Sequence, residues 1–178
     1  MQVDDFIVPP LAWDAIETLT VRIRAQFDLS NNPHFPIIEL IEQVLDQKLG
    51  WVNFEVGSVE EMGRAEGYTC PKGEFIQLRE DVYVDACRNQ GRARFTAAHE
   101  LGHFAMHTNI PLARATRGDG TPAFRLAEPQ ANQFAAELLM PVAFIRRYDT
   151  ASTLVGRFGV SHVAACNRLE YLSKKGKI

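Results

Sequence analysis

The segment His99-Glu100-Leu101-Gly102-His103 has the residue types and spacing best suited to chemistry in this chain. Residues four apart on a helix lie one turn above each other on the same face. His99 and His103 therefore offer two imidazoles to one point, where a single zinc ion binds nitrogen at about 2.0–2.1 Å. Glu100 is turned about 100° round the helix from that pair. It does not join the pair easily, but it reaches a water on the open side of the ion. This is the layout of metal-assisted hydrolysis: the ion acidifies the water and polarises a scissile carbonyl, and the carboxylate takes the water's proton and hands it to the leaving amine. The pattern predicts His99 and His103 as ligands and Glu100 as the catalytic base. Leu101 is expected to point into the core. Gly102 weakens a mid-helix position by about 1 kcal/mol relative to Ala, which suggests that another stretch of backbone passes close to it.

A catalytic zinc usually has three protein ligands and a water. His107 continues the four-residue series but lies about 12 Å along the axis from His99 at 1.5 Å per residue, so it is expected to be a packed or capping histidine. His34 and His162 lack supporting neighbours and are expected at the surface. The remaining candidates are Glu128 and Glu137, which fall on opposite faces of the next long helix. Glu128 shares its side with Ala131, Asn132 and Ala135, small residues that permit close helix approach. Asn132 is placed to hydrogen-bond a ligand from behind. Glu128 is assigned to the metal and Glu137 to a structural or solvent-facing role.

The elements that must position these groups can be traced along the chain. Pro9 and Pro10 precede Trp13, Ile16, Leu19, Ile23 and Phe27 at helical spacing, so a helix starts near Leu11 and ends before Ser30-Asn31-Asn32-Pro33. A second helix fits Pro36 to Leu49, with Gly50 as its stop. Val52, Phe54 and Val56 alternate as a strand. Tyr68 to Cys70 and Phe75 to Leu78, around Pro71-Lys72-Gly73, form a hairpin. Helical pattern returns over Val82 to Cys87 and Arg92 to His107. A loop over 108–127 follows, then a helix from Glu128 to Met140 that stops at Pro141. Thr153 to Phe158 and His162 to Leu172 are two short helices around Gly159-Val160-Ser161. The expected fold is α+β, mainly helical with a small antiparallel sheet. We read one domain, 1–178: an N-terminal helix over 1–35, a catalytic core over 36–150 and a C-terminal helical part over 151–178.

The chain has 178 residues, 46% hydrophobic and 23% charged. That is ordinary globular composition and excludes a disordered, collagen-like or coiled-coil chain. The longest nearly apolar stretch, Phe134 to Ile145, is broken by Glu137 and Pro141, so no membrane span is expected. The acidic start, MQVDDF, is unlike a secretory signal. The three cysteines, Cys70, Cys87 and Cys166, form no CxxC pair. They are expected as buried or half-buried free thiols in a reducing compartment, the cytoplasm.

The net charge of −3 hides an asymmetry: residues 1–62 hold three basic and 11 acidic side chains, whereas residues 146–178 hold seven basic and two acidic. A basic end can meet nucleic acid, or it can face the protein's own acidic N-terminal part.

Arg94-Phe95-Thr96-Ala97-Ala98 ahead of HELGH, followed by Glu128-Pro129-Gln130-Ala131-Asn132-Gln133-Phe134-Ala135-Ala136-Glu137-Leu138-Leu139-Met140-Pro141, strongly resembles the ImmA/IrrE-type zinc metallopeptidases. Arg157 to Ser161 and Arg168-Leu169 also look like that family's C-terminal helices. The resemblance spans roughly residues 36–178. It implies a zincin-like core with a C-terminal helix-turn-helix-like pair. It also implies a gluzincin-like site in which His99, His103 and Glu128 bind Zn2+ and Glu100 is the base. Members are typically cytoplasmic endopeptidases. Several cleave a helix-turn-helix repressor as anti-repressors, and others serve toxin–antitoxin or stress modules. The implied partner is thus a protein substrate, a repressor or antitoxin, with no direct nucleic-acid binding and no membrane. One departure is Pro129, where many relatives carry an aromatic residue. It predicts that Glu128 approaches the metal from the helix N-terminus.

Two other classes compete. A DNA-binding regulator would use the basic tail, where Leu154, Phe158, Gly159, Val160, Ser161, Ala165 and Leu169 loosely imitate a helix-turn-helix and His162, Asn167 and Arg168 offer polar contacts. An inactive scaffold that only binds a partner is disfavoured, because it has no physical need for Glu100. For steadying the oxyanion, Tyr148, His107 and Arg94 are all conceivable.

Overall fold

A computed structural model of the protein describes residues 5–115 and 120–178. Residues 1–4, most of the MQVDDF start, and the centre of the expected 108–127 loop lie outside the described residues.

Two long helices form the spine. Helix α5 (Gly91–His107) packs along α6 (Ala127–Leu139), and α1 (Trp13–Gln26) crosses the far side of α6. Small residues allow the close approach: Ala97, Ala98, Ala131 and Ala135 are all fully buried. At the seam, a Cβ on Gly102 would stand 2.9 Å from Phe134 Cδ1. The crowding expected at Gly102 is therefore real, but it comes from a phenyl ring and not from a backbone. Leu101 lies in the core, as expected. Phe35, Ile37, Ile41, Ile76, Leu78, Leu138 and Phe158 fill the space around this pair.

The second expected helix begins as α2 (Ile37–Glu39) and widens into a π-helix over Leu40–Lys48, where the Leu49 N–H donates to Val44 O. An apolar stripe at four-residue intervals (Ile37, Ile41, Leu45) serves either winding, so periodicity could not separate them.

The sheet corrects one expectation. Strands β2 (Asn53–Gly57), β3 (Gly67–Thr69) and β4 (Phe75–Arg79) lie in the order β2-β4-β3, with β3 and β4 antiparallel but β2 and β4 parallel. The sheet is mixed, not antiparallel. The short helix α3 (Val59–Met62), closed by a Ser58–Glu61 capping box, carries the chain across so that the hairpin enters from the far side and seats β4 in the middle. Ile76 and Leu78 of β4 face the core, leaving β3 as an edge.

Helix α4 (Glu80–Cys87) leads from the sheet into α5. Beyond α5, the expected loop holds strand β5 (Ala113–Arg114), paired with β1 (Phe6–Ile7), and a 3-10 turn at Ala123–Arg125. The N-terminal segment thus straps this loop to the body of the protein. The chain closes with α7 (Ala151–Phe158) and α8 (His162–Lys174), separated by Gly159 at φ 63°. Among the described residues no helix is long and apolar enough to cross a membrane.

The basic tail largely faces the protein's own acids. Lys177 pairs with Asp14 and Glu17 of α1, and Arg157 pairs with Asp149. Arg168, offered by sequence as a base-reading side chain, is buried beneath α8 against Glu137. Of the cysteines, Cys70 is buried, but Cys87 and Cys166 are exposed because their helices turn those positions outward; all three are free. His162 is exposed, whereas His34 is half-buried against Gly159.

Candidate metal centre

Helix α5 sets the pair. Its His99 and His103 rings point to one place, with their Nε2 atoms 2.9 Å apart. The third donor arrives from the start of α6. Glu128 sits in its first turn, where Pro129 is tolerated because that N–H has no intrahelical partner in any case. The Glu128 N–H donates instead to Asp5 Oδ1 at 3.1 Å. Its two carboxylate oxygens lie 3.4 Å from His99 Nε2 and 3.3 Å from His103 Nε2. The approach from the helix end, expected from Pro129, is what the chain adopts.

Does this cluster fit a metal? One donor atom from each of His99, His103 and Glu128 lies within 4.8 Å of the others. A tetrahedral zinc with ligands at about 2.0–2.1 Å separates its ligand atoms by about 3.3 Å. The carboxylate–imidazole spacings match that figure, and the imidazole–imidazole spacing is slightly tighter. Two imidazoles and one carboxylate suit zinc chemically. Without a cation, two ring nitrogens facing each other this closely need a proton between them.

The electrostatics follow from the same contacts. Glu128 is held far below the usual carboxylate range, by His103 first and His99 second. Burial works against the charged form of His99, but Glu128, Glu100 and Asn132 together outweigh it and raise its pKa.

Glu100 is not among the converging donors, as the helix rotation predicts, and only 7% of it is exposed. Burial pushes its pKa up, against a smaller opposing pull from the Thr69 hydroxyl. That is the direction a general base at neutral pH needs. The Thr69 hydroxyl lies 2.7 Å from Glu100 Oε2 and 2.9 Å from the Glu100 carbonyl. It has a single proton, and the bond to the ionised oxygen is the stronger. Gly67, two residues earlier on β3, has no room for a side chain: a Cβ there would stand 2.6 Å from Glu100 Cγ.

A cleft of about 190 Å3 opens over the site, walled by Gly67 to Pro71, by Thr108 and Leu112, and by Phe6, with Glu100, His103 and Glu128 on its floor. The hairpin and the described ends of the 108–127 loop thus border the site. A larger groove of about 830 Å3 lies alongside, between α5, α6 and α8. It contains none of the three donors; Asn132, the hydrogen-bond partner of His99, lines it.

Several contributors have their expected places. Asn132 Oδ1 is 3.2 Å from His99 Nδ1. His107 is packed at the helix end, 5% exposed. Thr69, Gly67 and Gln130 were missed by sequence reasoning, since they become neighbours of α5 only through the tertiary fold. Of the three oxyanion candidates, Arg94 is committed to the Gly159 and Phe35 carbonyls, His107 lies behind His103, and Tyr148 stands 88% exposed.

Residues 47–170 match the family model Peptidase_M78 (IrrE N-terminal-like domain). The chain belongs to the ImmA/IrrE-type metallopeptidase family. The match spans both helices of the site and the sheet; α1 and most of the α2 segment precede it, so it starts later than the resemblance suggested. A search of curated proteins found no match. Family membership makes this chain a metallopeptidase by descent.

Proposed function

We propose that this family member is a zinc-dependent endopeptidase of the cytoplasm, and that its substrate is a protein, a helix-turn-helix repressor or antitoxin. The observation that carries the reading is the convergence of His99, His103 and Glu128 beside a buried carboxylate that is not one of the donors. His99, His103 and Glu128 would hold the ion. When bound, zinc polarises the scissile carbonyl and acidifies the attacking water.

The chain's own residues supply the rest. Glu100 takes the water's proton on a carboxylate oxygen and returns it to the leaving amine. Thr69 steadies that carboxylate, and Asn132 fixes the His99 ring by accepting from Nδ1. The exposed edge of β3, Gly67–Thr69, lies against the cleft and suits an extended substrate segment added as a strand. The unpaired cysteines agree with a reducing compartment.

The test is co-expression with small helix-turn-helix repressors, beginning with any encoded next to this gene. Cleavage by the wild type and none by Glu100→Gln, at equal zinc content, is the expected result. Undiminished cleavage by Glu100→Gln would remove that residue from the mechanism.

A further inference from the structure

Behind the donors runs a chain of hydrogen bonds whose direction can be worked out. Gln130 is fully buried at the far end. Its Nε2 lies 3.0 Å from the Pro9 carbonyl and 2.8 Å from the Phe124 carbonyl. Both carbonyls only accept, so they fix the amide orientation: the NH2 faces them and Oε1 faces the other way. That oxygen lies 2.9 Å from His107 Nε2. His107 must therefore donate from Nε2, which leaves a lone pair on its Nδ1. His107 Nδ1 is 3.0 Å from His103 Nδ1. The proton in that bond must belong to His103, because His107 Nδ1 has none to give. His103 then carries its hydrogen on Nδ1 and its lone pair on Nε2. The reverse order would set His107 Nε2 against Gln130 Oε1 as two buried acceptors, which is strongly unfavourable.

We propose that His107 is a positioning residue for the metal centre: the proton order imposed by Gln130 and passed through His107 locks His103 in the tautomer whose Nε2 lone pair faces His99 and Glu128. On the other ring, Asn132 Oδ1 does the same for His99 from a side-chain amide. The two ligands thus reach one tautomer by different means, an amide for His99 and a second imidazole for His103. Through the Pro9 carbonyl the relay also ties the His103 ring to the N-terminal strap, and through the Phe124 carbonyl to the 3-10 turn ahead of α6. The inference rests on the metal-centre reading and deepens it.

The test is long-range proton–nitrogen NMR of the imidazoles in the zinc-loaded full chain, with zinc affinity measured by chelator competition. His107 should show a protonated Nε2 and an unprotonated Nδ1, and His103 a protonated Nδ1 with a metal-shifted Nε2. His107→Leu should weaken zinc binding about 10- to 100-fold. His107→Gln, which accepts from His103 and donates to Gln130, should recover most of that loss. A protonated Nδ1 on wild-type His107, or wild-type zinc affinity in folded His107→Leu, would overturn the relay while leaving the metal centre standing. If His107→Leu does not fold, the wild-type tautomers and the Gln variant decide. Absence of zinc from His99 and His103 in the wild type would overturn the metal centre itself, and the relay with it.

Discussion

Glu128 and Glu137 are the same residue type on the same helix, nine positions apart, and the fold gives them opposite tasks. Glu128 occupies the first turn of α6, its side chain 39% exposed, with two imidazoles as neighbours and a cleft above. Glu137 lies near the other end, 2% exposed, gripped by the Arg168 guanidinium. Arg168 Nη1 donates to Glu137 Oε1 at 2.8 Å, Gln133 Nε2 donates to the same oxygen, and Arg168 Nε donates to the Met140 carbonyl. Every polar atom of the buried pair is engaged inward, so this carboxylate serves to join α8 to α6. Glu128 turns its oxygens to the two imidazoles at the floor of the cleft. The metal-binding role proposed for α6 lies at the end that meets the cleft, and its other end is joined to α8.

Crossed substitutions sharpen this contrast. Glu128→Ala should abolish stoichiometric zinc binding and lower peptidase activity at least about a hundredfold, while the metal-free protein melts within about 1 °C of wild type, since the site is half-exposed. Metal analysis paired with calorimetry checks both halves. Glu137→Ala should do the reverse. It leaves Arg168 buried and unpaired, a loss of about 3–5 kcal/mol and of roughly 10 °C in Tm, while the folded fraction still binds zinc. Replacing both partners, Glu137→Met with Arg168→Met, should restore much of that stability. If the double variant were as unstable as Glu137→Ala alone, the pair would have a role beyond mutual neutralisation.

Smaller effects test the seam and the surface. Gly102→Ala gains about 1 kcal/mol of helix propensity but drives a Cβ to 2.9 Å from the Phe134 ring. Overpacking of about 1–3 kcal/mol should prevail, giving a net loss of about 1 kcal/mol by denaturant unfolding. Lys177→Ala removes an exposed pairing with Asp14 and Glu17. It should cost under about 1 kcal/mol and vanish in high salt, the surface counterpart of the Arg168–Glu137 pair.

The site was legible in the sequence to the extent that its geometry is helical. Four-residue spacing placed His99 over His103, and the opposite faces of α6 separated Glu128 from Glu137. Pro129 foretold the approach from the helix end. What sequence missed depends on contacts across the fold. Thr69 reaches Glu100 from a strand 31 residues away, and no local pattern encodes that meeting. Gly67 falls just before the strand expected from Tyr68, and nothing marks it until Glu100 is packed against it. The apolar run around Glu137 left a structural role open, but not its partner, because Arg168 lies on α8. The parallel pairing of β2 with β4 was hidden for the same reason, since strand patterns give alternation but not partner order.

The most direct measurement is anomalous diffraction at the zinc edge from crystals of the zinc-loaded protein. One strong peak is expected within bonding distance of His99 Nε2, His103 Nε2 and a Glu128 carboxylate oxygen, with Glu100 beside it but not bound, if the proposed metal centre holds. A peak that leaves Glu128 out, or one that takes Glu100 as a ligand, would contradict it.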